Sequence, residues 1–269
     1  MSFNSLEFFI FFPVVVISFY FFPNKNRNLV LLIASYFFYM SWRVEFIGLI
    51  IISTLTDYYC GINLYKYREI KRKKYFLLLF SLSVNLSLLF LFKYYNFFVD
   101  NLNFFFKDNN YEYLNFILPV GISFYTFQTI GYTIDVYKGT IKPETNILKF
   151  ATYVSYFPQL VAGPIERASS FLPQLSKSNN LHLENLKNGL RIAIWGFFKK
   201  MVVADNLAKI VDHVFSIPNV SSLEILIATY FFAFQIYLDF SGYTDIAIGT
   251  SRILGIKLRR NFRLSLIHI

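Results

Sequence analysis

Long apolar runs, separated by short charged segments, are the feature of this 269-residue sequence that most restricts its fold. A helix needs roughly 17 to 25 mostly apolar residues to cross a bilayer. Eight runs are candidates for crossing helices: residues 6–22, 28–41, 44–64, 75–98, 114–134, 148–161, 190–203 and 223–248. The sequence therefore predicts an all-α fold, a polytopic membrane helix bundle formed as a single domain over residues 1–269.

Several of these runs are short or interrupted, so we expect the bundle to include re-entrant or broken helices. The run 148–161 contains Pro158, and the run 114–134 contains Pro119 and Gly121 near its start. Irregular backbone at membrane depth is tolerated only where protein or a water-filled cavity surrounds it. The interrupted segments are therefore expected to be enclosed by other helices.

Composition supports the same setting, because only 16% of the residues are charged, against about 25% in ordinary soluble domains. The net charge of +10 comes from basic residues that lie mainly between the apolar runs. Loop charges of this kind set membrane topology, so the expected partner is the lipid bilayer and not nucleic acid. A single cysteine, Cys60, excludes an internal disulfide and a cysteine-ligated zinc site. No other metal site is predicted.

The densest basic loop, residues 66–74, indicates which side of the membrane each loop occupies. Short loops rich in Lys and Arg stay in the cytoplasm. Counting runs from this loop places the N-terminus and the more acidic loop 100–112 outside. The first run, 6–22, has no basic residue before it, so we interpret it as a retained span and not as a cleavable signal peptide.

Two acids, Asp239 and Asp245, lie inside the apolar stretch 228–249. An Asp at the centre of a membrane helix costs roughly 2.5 to 3.5 kcal/mol, so such a residue marks a functional site by default. A separation of six residues turns the two side chains by about 240° on a regular helix. Either Ser241 and Gly242 break the helix, or the two acids have different partners; a paired-carboxylate acid/base device is not expected.

Other polar residues give weaker signals. The lysines Lys199 and Lys200 follow Trp195, a pattern typical of interfacial anchors that reach towards lipid headgroups; binding of an anionic cofactor is the alternative. None of the three histidines, His182, His213 and His268, has the setting of a general base. The sequence therefore assigns no catalytic residue.

Four segments in a fixed order resemble the membrane-bound O-acyltransferase family, and in particular its alginate O-acetyltransferase branch. The resemblance extends from the first run to about residue 262, which makes it more specific than any one segment. The four segments are LPVGISFYTFQTIGYTIDVY, FPQLVAGPIER, WGFFKKMVVADNLA and YFFAFQIYLDFSGYTDIAIGTSRILGIKLRRNF.

The resemblance implies a helix bundle around a funnel through the bacterial inner membrane. In this family an acyl group, here expected to be acetyl, passes from acetyl-CoA or an acyl carrier to hydroxyls of an exported polysaccharide, often through an extracytoplasmic acyl-transfer partner protein. The donor is a co-substrate, and no bound cofactor is expected. By the same resemblance, the substrate-binding candidates are Gln159, Arg167, Asp239 and Tyr243.

The last residues, 263–269, depart from the family pattern. Family members place their key histidine in an apolar segment well downstream of the motif LDFSGY, and His268 does not fit that position. We therefore expect a truncated acyltransferase that lacks the catalytic histidine and is inactive alone. Two other classes stay open from the residues themselves: a membrane transporter or channel, since buried acids and broken helices also mark transport pathways, and a non-catalytic membrane scaffold.

Overall fold

The computed structural model describes residues 1–106, 111–161, 163–177, 180–218 and 220–261. Within these ranges the regular structure is helical and contains no β-strand, which confirms the predicted all-α class. The tail 263–269, with His268, lies outside the described residues. The α-helices are α1 Leu6–Phe21, α2 Arg27–Met40, α3 Ile47–Lys66, α4 Lys71–Leu89, α5 Tyr95–Phe105, α6 Ile122–Lys138, α7 Ile147–Ser155, α8 Phe157–Leu160, α9 Ala168–Leu175, α10 Leu183–Phe197, α11 Asp205–Ser216 and α12 Ser222–Ile253.

Among the residues that the structure describes, three helical segments are long and apolar enough to cross a membrane: Val44–Lys66, Lys71–Phe105 and Ser222–Ile253. The helix α1 is also apolar but shorter. Large apolar side chains such as Phe80 and Phe234 are half exposed on these segments, as expected for surfaces that face lipid tails and not water. These features support the prediction of a multi-pass membrane protein.

The predicted runs correspond to helices, and two of the runs are only partly helical or are interrupted. The run 114–134 is helical only from Ile122, because Pro119 precedes it and Gly121 adopts a positive φ of 77°. A side chain at Gly121 would also overlap the backbone carbonyl of Leu160. The run 148–161 is broken at Tyr156 into α7 and α8, as its proline predicts. Thus the prediction of broken helices is confirmed.

The chain divides into two compact units. One unit comprises Leu31–Val161 and Ile165–Ser176. In it α3, α4 and α6 pack against one another, and α7 packs on α3 and α6. Aromatic side chains fill its interior, among them Tyr132, Phe150 and Tyr153.

The second unit comprises Met1–Val30, Ala162–Pro164 and Lys177–Ile269. Its centre is the 32-residue helix α12, which packs on α10 and α11. The helix α12 begins at a capping box in which Ser221 and Glu224 exchange hydrogen bonds with each other's backbone N–H groups. The prediction of a single membrane domain over residues 1–269 stays a prediction.

Candidate functional site

Four glycines allow α10 and α12 to approach closely. An added Cβ at Gly196 would lie 2.7 Å from the carbonyl oxygen of Gly242, and one at Gly242 would lie 2.9 Å from the carbonyl oxygen of Gly196. Gly189 and Gly249 meet in the same way. Because Gly189 faces Gly249 while Gly196 faces Gly242, the two helices run antiparallel. Small residues at such a seam are the usual means of close helix packing in membranes.

A π-helical segment, Phe198–Ala204, joins α10 to α11. Single π turns inside helices often occur at functional sites. This turn begins where α10 lies against α12, and it carries Lys199 and Lys200. It also brings Lys200 and Asp205, five residues apart, to one side of the helix, where Lys200 Nζ lies 2.6 Å from Asp205 Oδ1.

Both lysines make ion pairs with α12. Lys199 Nζ lies 2.6 Å from Asp245 Oδ2 and donates a hydrogen bond of 2.9 Å to Ser241 Oγ. Lys200 Nζ lies 2.6 Å from Asp239 Oδ1. Each lysine side chain is only 14% exposed. The interpretation of these lysines as headgroup anchors is therefore wrong, since their ammonium groups face the acids of α12.

The same contacts settle the two alternatives for Asp239 and Asp245. The helix α12 continues unbroken through Ser241 and Gly242, so the acids lie on different sides of it. Each acid pairs with a different lysine. Lys200 thus supplies Asp239 with a positive partner from within the described chain.

A cleft of about 780 Å³ lies beside the Lys199–Asp245 pair. One stripe of α12 forms part of its wall, with side chains at positions 237, 241, 244, 245 and 248 that share a helix face. Among the described residues of the wall, three are basic, Arg191, Lys199 and Arg260, and one is acidic, Asp245, so this part of the wall carries an excess of positive charge. The described lining residues are Arg191, Ile192, Ile194, Trp195, Phe198, Lys199, Tyr237, Ser241, Thr244, Asp245, Ile248, Arg260 and Asn261.

The predicted substrate-binding residues do not line this cleft. Asp239 pairs with Lys200, and the ring of Tyr243 lies 5.3 Å from Lys200 Nζ. Both are on the side of α12 that carries position 239 and not on the cleft stripe. Their role in substrate binding stays a prediction.

Gln159 and Arg167 belong to the other compact unit. Gln159 is buried, and its Nε2 donates a 2.8 Å hydrogen bond to Gln128 Oε1. The amide of Gln128 in turn donates to the carbonyl of Tyr153 at 2.7 Å. Arg167 is exposed at the start of α9. These contacts give Gln159 a structural setting and leave its predicted binding role, like that of Arg167, as a prediction.

Sequence reasoning did not select Arg191, Ser241 and Arg260 of the cleft, and it favoured a headgroup anchor for Lys199. The six-residue spacing of Asp239 and Asp245, which indicates two different partners, was the available signal for the two lysines. A second omission is Asp57, an acid inside the predicted span 44–64 that is fully buried. The cost of placing an Asp inside a membrane helix, which singled out Asp239, applies equally to Asp57.

The two described histidines, His182 and His213, lie outside the lining of the cleft. His182 precedes α10 and His213 lies near the end of α11, and both are exposed. The described part of the chain therefore offers no histidine base at this site.

Comparison with known sequences gives the context of these residues. The membrane-bound O-acyltransferase family matches residues 142–269, which include the π segment, α12 and the cleft. The chain is 37% identical over 98% of its length to the probable alginate O-acetylase AlgI of Pseudomonas putida, covering 55% of that protein. It is 36% identical to the peptidoglycan O-acetyltransferase of Helicobacter pylori, over 97% of the chain and 56% of the relative.

A more distant similarity is to the teichoic acid D-alanyltransferase of Bacillus subtilis, at 27% identity over 55% of the chain and 38% of the relative. The chain thus spans about half the length of the curated relatives that it matches over nearly all its own length. The family match covers the helices that form the cleft, and the similarity to the O-acetyltransferases continues through both compact units. The C-terminal part of the chain, residues 142–269, is thus similar to the membrane-bound O-acyltransferase family, and nearly the whole chain is similar to O-acetyltransferases.

Proposed function

We propose that the chain is the donor-binding part of a membrane O-acyltransferase that transfers an acyl group, specifically acetyl, to hydroxyls of an exported polysaccharide. The donor is acetyl-CoA or an acyl carrier, and an extracytoplasmic partner protein receives or relays the acyl group. In this proposal the protein lies in the bacterial inner membrane with its N-terminus outside. The observation that carries the proposal is the cleft on α12, which lies within the family match and combines a lysine-held carboxylate with basic walls.

The chemistry of the cleft suits a phosphate-bearing acyl donor. The guanidinium groups of Arg191 and Arg260 can form charge-assisted hydrogen bonds with phosphate oxygens. The Lys199–Asp245 pair is held by Ser241, so its geometry is fixed before a ligand enters. We assign this cleft to binding of the donor.

Proton transfer from the acceptor hydroxyl requires a base within hydrogen-bond reach. Neither His182 nor His213 reaches the cleft. We therefore propose that the 269-residue polypeptide alone binds the donor and does not complete acyl transfer.

Binding of radiolabelled acetyl-CoA to the detergent-purified chain tests this assignment. We expect Arg191→Gln to weaken binding about tenfold, because one charge-assisted hydrogen bond of about 1.5 kcal/mol is lost. Lys209→Met is the matched control, since Lys209 is an exposed lysine on the neighbouring helix α11. No measurable donor binding, or equal effects of the two substitutions, would refute the donor assignment.

A transfer assay with the same preparation and a polysaccharide acceptor tests the second part. We expect no donor-dependent acetylation above background by the polypeptide alone. Acetylation by the purified 269-residue chain would show that a base other than these two histidines acts in it.

A further inference from the structure

A buried polar cluster in the unit that contains α3, α4 and α6 is separate from the cleft. Its centre is Asp57 on α3, whose side chain is completely buried. Asp57 Oδ1 accepts hydrogen bonds from Ser81 Oγ on α4 and, at 3.1 Å, from Thr133 Oγ1 on α6. Its Oδ2 accepts a 2.8 Å hydrogen bond from Asn85 Nδ2 on α4. Two helices, α4 and α6, therefore direct donors at the carboxylate of a third, α3.

The orientation of Asn85 is fixed by its other contacts. Its amide donates a second hydrogen bond, of 3.0 Å, to the carbonyl of Ser81, and its Oδ1 accepts a 2.6 Å hydrogen bond from Ser53 Oγ. If the amide were flipped, Asn85 Oδ1 would face the carbonyl oxygen of Ser81, and the amide N–H group would face the hydroxyl of Ser53. The N–H group of Asn85 thus faces Asp57, and all three hydrogen bonds are donated to the carboxyl oxygens.

Asp57 has no positively charged partner in the part of the chain that the structure describes. The ion pairs found there join other residues, and every hydrogen-bond partner of Asp57 is neutral. Asp57 also lies within Val44–Lys66, a segment long and apolar enough to cross the membrane. An acid at such depth is neutralised either by a proton or by a positive partner.

A second observation points to a positive partner. Thr54 lies one helical turn before Asp57, so the two residues are neighbours on the same side of α3. Thr54 is buried, with 3% of the residue exposed, and its hydroxyl has no hydrogen-bond partner among the described residues. It therefore adds an unused oxygen on the side of α3 that carries Asp57.

We propose that Asp57 and the surrounding hydroxyl oxygens, including that of Thr54, form a buried binding site for a small alkali cation of the Na⁺ class. Carboxylate and hydroxyl oxygens are the ligands that hard cations prefer. A monovalent ion balances the single negative charge of the cluster. By joining α3, α4 and α6, the bound ion stabilises this unit, independently of acyl transfer at the cleft.

Thermal unfolding of the complete chain in detergent tests the site. Measurements compare NaCl, KCl and choline chloride at one ionic strength. A ligand at ten times its Kd stabilises the folded state enough to raise the Tm of a chain of this size by about 3 °C or more. We expect such a rise in one of the alkali salts relative to choline chloride.

Two substitutions locate the effect. Asp57→Asn retains the shape of the side chain and removes its charge, so the alkali-dependent rise should disappear. Thr54→Val breaks no hydrogen bond described for the fold and should reduce the rise even if Asp57→Asn fails to fold. Asp212→Asn, at an exposed acid of α11, is the matched control and should leave the rise unchanged.

Equal Tm values of the unsubstituted chain in all three salts would overturn the proposal and indicate a carboxyl group neutralised by a proton. An alkali-dependent rise that persists in both Asp57→Asn and Thr54→Val would overturn it as well. Donor binding at the cleft is measured separately, so failure of this proposal is distinguishable from failure of the proposed function.

Discussion

Lys200 pairs with two carboxylates in the second unit. Its ammonium group lies 2.6 Å from both Asp205 and Asp239, and the ring of Tyr243 lies 5.3 Å away. One cation thus serves an acid of its own helix and an acid of α12. Asp239, although intramembrane by sequence, is compensated by this contact.

The consequence is an asymmetry between the cation and its acids. Lys200→Met strips two carboxylates of their partner, whereas Asp205→Asn and Asp239→Asn each remove one of two acids and leave the lysine paired. We expect Lys200→Met to lower the Tm more than either acid substitution, with Lys200→Arg close to the unsubstituted chain. Thermal unfolding followed by circular dichroism measures the order; a smaller effect of Lys200→Met would contradict it.

The Lys199–Asp245 pair is more enclosed, with side-chain exposures of 14% and 24%. Removing one partner of a buried pair costs about 3–5 kcal/mol, and partial exposure reduces this to about 1–3 kcal/mol here. We expect Lys199→Met and Asp245→Asn each to destabilise the fold, and the double variant to be less destabilised than their sum. A double-mutant cycle on thermal stability gives the coupling.

A matched cycle on Arg68 and Glu69 provides the control. Their side chains are 55% and 88% exposed, and exposed pairs contribute little. We expect a coupling near zero for Arg68→Met and Glu69→Gln. Comparable coupling in the two cycles would show that the Lys199–Asp245 pair is not sheltered from solvent.

At the level of helices, the seam between α10 and α12 places the ion pairs. The approach of Gly196 to Gly242 brings the start of the π segment against α12, since a Cβ at Gly242 would lie 3.1 Å from the backbone nitrogen of Lys200. The five-residue step of the π turn then lets Lys200 reach Asp205 as well as Asp239. The ion pairs between the π segment and α12 therefore depend on the close packing of these glycines.

Gly242→Ala tests this dependence. The added methyl group must displace backbone atoms, and such overpacking typically costs about 1–3 kcal/mol. We expect a lower Tm together with weaker donor binding, because the methyl group would push α10 and α12 apart and both helices line the cleft. Gly48→Ala in α3 is the matched control, since nothing lies within 4 Å of its Cβ position; there we expect no loss, because Ala favours a helix over Gly. Equal stability of the two variants would show that α10 and α12 separate freely.

For the whole molecule, orientation in the membrane follows from loop charge. The basic loop 66–74 is predicted to be cytoplasmic and the loop 100–112 external. The native Cys60 is buried, so it provides a silent background for cysteine labelling.

Labelling with a membrane-impermeant maleimide on spheroplasts tests this orientation. We expect Glu112→Cys to react in intact spheroplasts and Arg72→Cys to react only after permeabilisation. Reaction of Arg72→Cys in intact spheroplasts would reverse the predicted topology, and the unsubstituted chain measures the background from Cys60.

Apolar run length and the two residues Asp239 and Asp245 carried most of what the sequence by itself determined. Run length depends on local composition, so it predicted the helical membrane class and the interruption at Pro158. The start of α6 after Pro119 and Gly121 was harder to predict. A side chain at Gly121 is excluded by Leu160, which lies 39 residues away in the chain. Helix periodicity separates the two acids only if the helix is regular, and the unbroken α12 shows that it is.

Only the tertiary structure decided which partners those acids have. A lysine after an aromatic run looks the same in sequence whether it faces headgroups or carboxylates, and the choice depends on the glycine seam that brings α10 onto α12. The same holds for Asp57, since its partners Ser81, Asn85 and Thr133 come from two other helices. Burial cost is a local property of a residue and its segment, whereas compensation of that cost depends on residues that meet only after the helices pack.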